Sequence, residues 1–379
     1  MRKLLKSCEF EPVTITVAYS EVEDMANSNP VWSDDAEWLS QTELEKFFWH
    51  YPVVMDNNWN VLAKLCKNDY SKDIYWNVAP EWNVMVAFPR RWIKVSKDWN
   101  RVTVSFTKEN NKQWYQYYAH TTWTWSSKIN KDVFYLWVYN WNINETYGSV
   151  AWVNPDVSRN FDTCYNYAKS LDWNDWVEWY TLETFYMREY LIWMFIMVYW
   201  RPDSQSVIWN WINTGSRQEV WSTYNKWMTY WDLTSWTEHV KLFWIEDLWW
   251  NVLEFVWWIY VAENTYNIYT KLSKFTNRWV DIKDIWFSDQ FPTTRQNRNI
   301  TSVCWTNDAM FIWLTQVNND TYNTYYKTRQ QIRTHSYCQM WWGSWSWISC
   351  WIIRHYLWWQ ISQTSLWNPW TAWFRIAYI

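Results

Sequence analysis

Glycine is nearly missing from this chain, with 3 residues in 379. A soluble domain ordinarily carries about 7% glycine, because glycine reaches positive φ in tight turns without a Cβ clash. Other absences narrow the function. The six cysteines, Cys8, Cys66, Cys164, Cys304, Cys338 and Cys350, show no C-x-x-C spacing, which suits neither a dense disulfide framework nor a zinc site. The longest apolar run, "YLIWMFIMVYW" (190–200), has 11 residues and is too short to span a bilayer. Basic runs are missing as well: 34 basic and 38 acidic residues are interspersed for a net charge of −4, so no global field draws the chain to nucleic acid or an anionic membrane. The start "MRKLLKSCEFEPV" is basic, but Lys6 and Glu9 interrupt it before an apolar stretch forms, so it does not read as a cleaved signal peptide. No P-loop, G-x-S-x-G or EF-hand loop appears, even when every tryptophan is read as glycine.

What is abundant instead is tryptophan, with 44 residues. Tryptophans recur where a backbone would want glycine: "DNNWN" (56–60), "PEWN" (80–83), "SKDWN" (96–100) and "WNPWTAW" (367–373). Asp-Gly, Asn-Gly and Gly-Asn are turn dipeptides, and an indole at positive φ is a steric outlier. The pattern predicts that many of these tryptophans stand for UGA codons that the translation machinery of the source reads as glycine. The rival expectation is a protein that is truly rich in tryptophan. Under recoding, "IEDLWWNVLEFVWWIY" (245–260) becomes a strand or turn flanked by tight backbone corners.

The length allows two domains or one large one, with a sizeable core. Residues 1–50 are mixed and polar, with a helical candidate at "TELEKFFWH" (42–50), and are expected to form an arm. Residues 51–130 show short alternating runs between turn signals, as in "KVSKDWNRVTV", a hairpin if Trp99 behaves as glycine. This predicts a small β-rich attachment module that ends at the polar stretch "SSKINKD" (126–132). In the remainder, 131–379, "NPDVSRNFDTCYNYAKSL" and "TLETFYMREYLIWMFIMVYW" (181–200) read as helices, the second with Thr181 as N-cap. Its charged residues Glu183, Arg188 and Glu189 lie in the first half, and the second half is apolar all round, as a buried central helix requires. The expected fold class is therefore α+β.

Three segments carry a resemblance to a known family. With Trp244, Trp250 and Trp258 read as glycine, "WIEDLWWNVLEFVWWI" resembles the G-x-E-D-x-x-G-N-V-x-E segment of the formylglycine-generating-enzyme-like branch of the C-type lectin fold. "MWWGSWSWISCWIIRHYL" (340–357) resembles the glycine-rich segment of that branch, and the chain end "TAWFRIAYI" resembles its closing strand. The "WW" at 257–258 departs from the usual V-D-G. Together with "NVMVAFPRR", the order of segments looks like phage structural proteins that pair a β-rich module with a C-type lectin-like domain of two helices and long loops. The resemblance covers about residues 50–379 in outline. It implies a tail or host-recognition protein of the virion, made in the host cytoplasm, of a kind that diversity-generating retroelements can target. The partners it implies are a host cell-surface receptor or other protein ligand, other virion proteins and further copies of the chain, with no nucleic acid and no membrane insertion.

No cofactor or metal is expected. The same fold hosts a copper-dependent oxidase with two cysteines a few residues apart, whereas Cys338 and Cys350 stand 12 apart; that enzyme remains an alternative, as does a purely structural tail, collar or capsid-decoration protein. The related iron-dependent sulfoxide synthases need clustered histidines, and His50, His120, His239, His335 and His355 offer no H-x-x-x-H. "VNNDTYN" (317–323) reads as a solvated loop in preference to a calcium loop. The stretch 318–363 is crowded with Tyr, Asn, Ser, Thr and Gln, the residue set that binding loops use for rigid contact area and adaptable hydrogen bonds. With 340–357 following the lectin-fold pattern that the resemblance implies, Ser344, Ser346, Ser349, Arg354 and Tyr356, together with Tyr325, Tyr326 and Tyr337 from the preceding loops, are expected to form one exposed ligand-binding patch.

Overall fold

The computed structural model describes residues 12–20, 39–56, 58, 60–99, 101–109, 113–123, 128–139, 149, 161–171, 180–200, 223–231 and 240–248, and beyond these the backbone of nine strands between 253 and 378. The chain begins with β1 (Thr14–Ser20), α1 (Gln41–Phe48), β2 (Tyr51–Met55), β3 (Val61–Cys66), β4 (Asp69–Asp73) and β5 (Asn83–Pro89). Then come β6 (Trp92–Asp98), β7 (Arg101–Thr107), a 3-10 turn (Tyr118–His120), β8 (Thr121–Trp123), β9 (Lys128–Asn130) and β10 (Val133–Trp137). α2 (Phe161–Ser170), β11 (Tyr180–Leu182), α3 (Phe185–Tyr199), β12 (Tyr230–Trp231), β13 (Val240–Leu242) and β14 (Ile245–Glu246) are next. The last strands are β15 (Leu253–Ala262), β16 (Thr265–Tyr269), β17 (Ile282–Trp286), β18 (Gln296–Cys304), β19 (Ile312–Val317), β20 (Lys327–Gln330), β21 (Ser336–Met340), β22 (Ala372–Phe374) and β23 (Ile376–Tyr378). Among the described residues the fold is thus mixed, with three helices and mostly antiparallel strands in several sheets.

The largest sheet has seven strands in the order β11-β23-β10-β5-β2-β3-β4. It crosses the expected boundary near residue 130, because β10 lies antiparallel to β5 with Phe134 opposite Phe88. One apolar cluster takes Val53, Met85 and Phe88 from before that point and Phe134, Met187, Trp193 and Ile245 from after it. The β-rich segment and the chain beyond residue 130 therefore share a core, where separate domains would each have their own. Thr14–Ser20 also departs from the expected arm: β1 pairs with β7 along its whole length, and Ile15, Val17 and Tyr19 are buried. Ile15, Val17 and Tyr19 at every second position of "TITVAYS" give that strand an inward face.

Sequence logic is plain in the helices. α1 opens with a capping box, the Ser40 hydroxyl accepting from Glu43 N–H while the Glu43 carboxylate accepts from Ser40 N–H. It ends on Trp49 at φ 47°, whose N–H donates to the Glu45 carbonyl at 2.9 Å. α3 starts at Phe185 with Thr184 as N-cap, so the expected cap at Thr181 is corrected. Thr181 lies in β11 opposite Ala377, and a strand pair leaves its backbone no freedom to turn into a helix. Nearly all of α3 is buried, including the charged first half: Glu183, just before the helix, pairs with Arg188, whose guanidinium also donates to the Leu248 carbonyl.

Eight non-glycine residues among those described have positive φ, and six are tryptophans: Trp49, Trp76, Trp99, Trp114, Trp200 and Trp244. The predicted hairpin forms between β6 and β7, with Asp98 opposite Arg101 and Trp99 at φ 52° in the two-residue turn.

Candidate functional site

The segment that carries the family resemblance starts in a hairpin. Leu242 of β13 pairs with Ile245 of β14, leaving Phe243 and Trp244 as a two-residue turn with φ 50° and 69°. Positive φ at both central residues is the type I′ geometry that matches strand twist. This register sets Lys241 opposite Glu246, and both are fully buried.

The polar groups around this pair are organised as a clasp. The Glu246 carboxylate accepts from Thr223 N–H at 2.8 Å and from the Thr223 hydroxyl at 2.5 Å. Lys241 Nζ donates to the carbonyls of Thr223 (2.8 Å) and Lys226 (3.0 Å), and lies 3.8 Å from the centre of the Tyr70 ring. Asp247 receives the Val240 N–H on its carboxylate and gives its own N–H to the Val240 carbonyl. Glu246 N–H reaches the Val138 carbonyl at 3.0 Å, and the Tyr70 hydroxyl donates to the Trp244 carbonyl at 2.9 Å. Residues 223–226, β13–β14, the end of β10 and β4 are joined at this point.

Burial pushes the Lys241 ammonium down to about 7, against the opposing pull of the Glu246 carboxylate. An amine titrating near neutrality could act as a nucleophile or base in a cleft. Here it is sealed: the side chain is inaccessible to solvent and two of its N–H bonds are taken by carbonyls. Burial also raises the Tyr70 and Tyr139 hydroxyls well above their usual range, reinforced by the Glu246 charge. The cluster can hold a loop and fix a strand, but it offers a substrate no way in. In the sequence Glu246 and Asp247 stand out only as the E-D of the resembling segment, and Lys241 lies outside it. A Lys and a Glu five apart around "LFWI" would have shown it, since a two-residue turn places them opposite each other.

A second feature lies at the sheet's edge. Beyond β4, Ile74, Tyr75, Trp76 and Val78 are exposed around a turn closed by Asp73 and Asn77, and Val61 and Leu62 of β3 are exposed as well. Edge strands with exposed apolar side chains are places where another chain can add. Nothing here marks a particular occupant.

The expected ligand-binding patch falls almost wholly outside the described residues: this holds for Tyr325, Tyr326, Ser344, Ser346, Ser349, Arg354 and Tyr356. Tyr337 is placed by its backbone, in β21 opposite Tyr260 of β15. Cys338 is the next residue in β21, and Cys350 is outside the described residues. His50 and His120 are both buried and both meet Phe88: His50 stacks on its ring at 5.7 Å with Nε2 2.9 Å from Met228 Sδ, and His120 Nε2 is 3.1 Å from its carbonyl oxygen. Among the described residues no group of three or more His, Cys, Asp or Glu stands close enough to hold a metal ion, and no helix is long and apolar enough to cross a membrane. Compared with protein-family models, curated proteins and solved structures, the chain matches none.

Proposed function

We propose that this chain is a virion-associated recognition protein whose C-terminal part is a C-type lectin-like domain that binds a host cell-surface receptor. One observation supports the reading above the others: segments that carry the resemblance, far apart in sequence, meet on one strand. β15, from the I-E-D segment, pairs antiparallel with β21, which runs into the glycine-like stretch at 340, and parallel with β22 of the closing segment. The registers are Glu254 with Met340 and Leu253 with Ala372.

In this reading the tight corners shape the backbone near the C-terminus, and Tyr325, Tyr326, Tyr337, Ser344, Ser346, Ser349, Arg354 and Tyr356 form the binding face. Tyrosine and arginine supply the anchoring contacts, with serines as adaptable hydrogen-bonding groups. Several copies on one particle would add avidity. Function is recognition without bond chemistry.

The test is adsorption to host cells by particles carrying Tyr337→Ala or Tyr356→Ala. Truncating a central anchor typically costs about 2 kcal/mol or more of binding, so adsorption falls at least tenfold while particle yield is unchanged. Normal adsorption by both variants rejects the receptor-binding face and leaves a structural tail or collar component as the reading.

A further inference from the structure

We infer that residues 49, 76, 99, 114, 200 and 244 are glycine in the protein as its source makes it, and that their tryptophans come from a codon the source decodes as glycine. Composition raised this expectation for turns in general. The backbone now names individual positions, adds helix ends that no turn motif marked, and separates them from tryptophans that sit where tryptophan belongs. The inference stands apart from the virion reading.

Tryptophan makes up 44 of 379 residues, so eight residues drawn at random would hold about one. Six of the eight positive-φ residues are tryptophan. Sterics run the other way, because a bulky side chain at positive φ brings Cβ against the backbone. Five of the six sites are also recognised places for glycine. Trp49 and Trp200 close α1 and α3 in the left-handed conformation, their N–H groups donating to Glu45 and Ile196, as a C-terminal glycine does. Trp99 occupies the first position of the two-residue β6–β7 turn, and Trp244 the second position of the β13–β14 turn.

Trp76 is the third residue of a three-residue loop between Asp73 and Asn77. Asp73 N–H donates to the Asn77 carbonyl, the Asp73 carboxylate accepts from the N–H groups of Tyr75 and Asn77, and Trp76 takes φ 66°. That is a turn ending in a left-handed residue, where glycine is the usual occupant. The same Asp-x-x-Trp-Asn sequence recurs at 56–60, and Asp56 holds Asn58 and Asn60 by the same bonds. Of the two other positive-φ residues, Asp247 has a short polar side chain that tolerates the conformation. Phe243 shares the turn with Trp244 and stays strained.

Exposure points the same way. Trp49, Trp76, Trp99 and Trp114 are 60%, 67%, 90% and 65% exposed, so their indoles do little packing in return for a disfavoured backbone. Trp244 is the exception: it is buried with its ring 5.2 Å from that of Trp227, so at that position the backbone alone argues for glycine. Trp92 is the contrast. It lies in the regular strand β6, buried, with its ring 4.1 Å from that of Tyr117 and the Arg90 guanidinium over it at 5.7 Å. That position has the packing and the backbone a tryptophan needs.

Two measurements test the inference. In the tryptophan-bearing chain, Trp49→Gly, Trp76→Gly, Trp99→Gly and Trp114→Gly each relieve a left-handed residue at little packing loss. Each should raise the folded-to-unfolded ratio about tenfold, whereas Trp92→Gly should lower it. Stability lost on all four replacements, as with Trp92→Gly, overturns the inference. Should the tryptophan-bearing chain not fold, peptide masses of the protein from its source decide. Glycine at the six positions with tryptophan at 92 supports the inference, and tryptophan at 49, 76 or 99 ends it.

Discussion

His50 and His120 are fully buried, and burial holds each ring neutral, with its pKa lowered from 6.5 to about 3. The unfolded chain takes up these protons first as pH falls below 6.5. Their contribution to stability is therefore complete above that value and is lost between 6.5 and about 3. Each ring adds a slope of about 1.4 kcal/mol per pH unit in the middle of this window. Urea unfolding at pH 7 and pH 5 should show this loss, and His120→Phe should have a shallower pH dependence than the parent. An unchanged slope would mean that His120 is protonated in the folded protein. Neither histidine's burial was legible in sequence, since a lone histidine in a mixed segment carries no periodic signal. The left-handed positions were partly legible, where Asp or Asn beside tryptophan betrayed a turn. Trp49 and Trp200 were not, because each ends a helix with no such neighbour.

At the scale of elements, the helices were the most readable part. "SQTE" is a capping box by composition, and the structure makes its reciprocal bonds. Ser40→Ala should cost about 1 kcal/mol, read as a lowered denaturant midpoint with unchanged slope. In α3 the readable fact was the apolar second half, and the unreadable one was that Glu183 and Arg188 are buried as deeply. A charged residue at a helix start ordinarily predicts solvent; here the two charges pair with each other five residues apart, and the distant Leu248 carbonyl takes a further Arg188 N–H. Arg188→Met removes the cation facing a buried carboxylate and should destabilise by about 3–5 kcal/mol. Adding Glu183→Gln should recover most of that loss. A double variant as unstable as the single one would show that the pair is not the source of the effect.

Across the whole molecule, β23 lies between β10 and β11, with Tyr378 opposite both Tyr135 and Tyr180. Deleting residues 372–379 should strip hydrogen-exchange protection from β11, whose sheet partner is β23, and from the β10 amides that face β23, while those paired with β5 keep theirs, and should lower the melting temperature of the part before residue 200 as well. Protection retained in β11 would show that the closing strand is dispensable. Cleavage between 124 and 133 should likewise fail to yield two separately stable pieces, because β5 and β10 pair across it.

Local facts were set by the sequence alone: alternation in "RVTVSF" makes a strand, a cap and an apolar run make a helix, and the Trp-Asn pairs at 76–77 and 99–100 mark turns with tryptophan at positive φ; Trp82 before Asn83, expected to do the same, does not take positive φ and packs against the core. These depend on neighbours a few residues away, which the sequence displays. Tertiary structure alone decided that Lys241 and Glu246 clasp a loop, that Thr14–Ser20 belongs to a sheet, and that β10 continues the sheet begun by β2 and β5. Those outcomes depend on which strand edge is open when a distant segment arrives, and on whether a buried charge finds its partner there; both are properties of the assembled core.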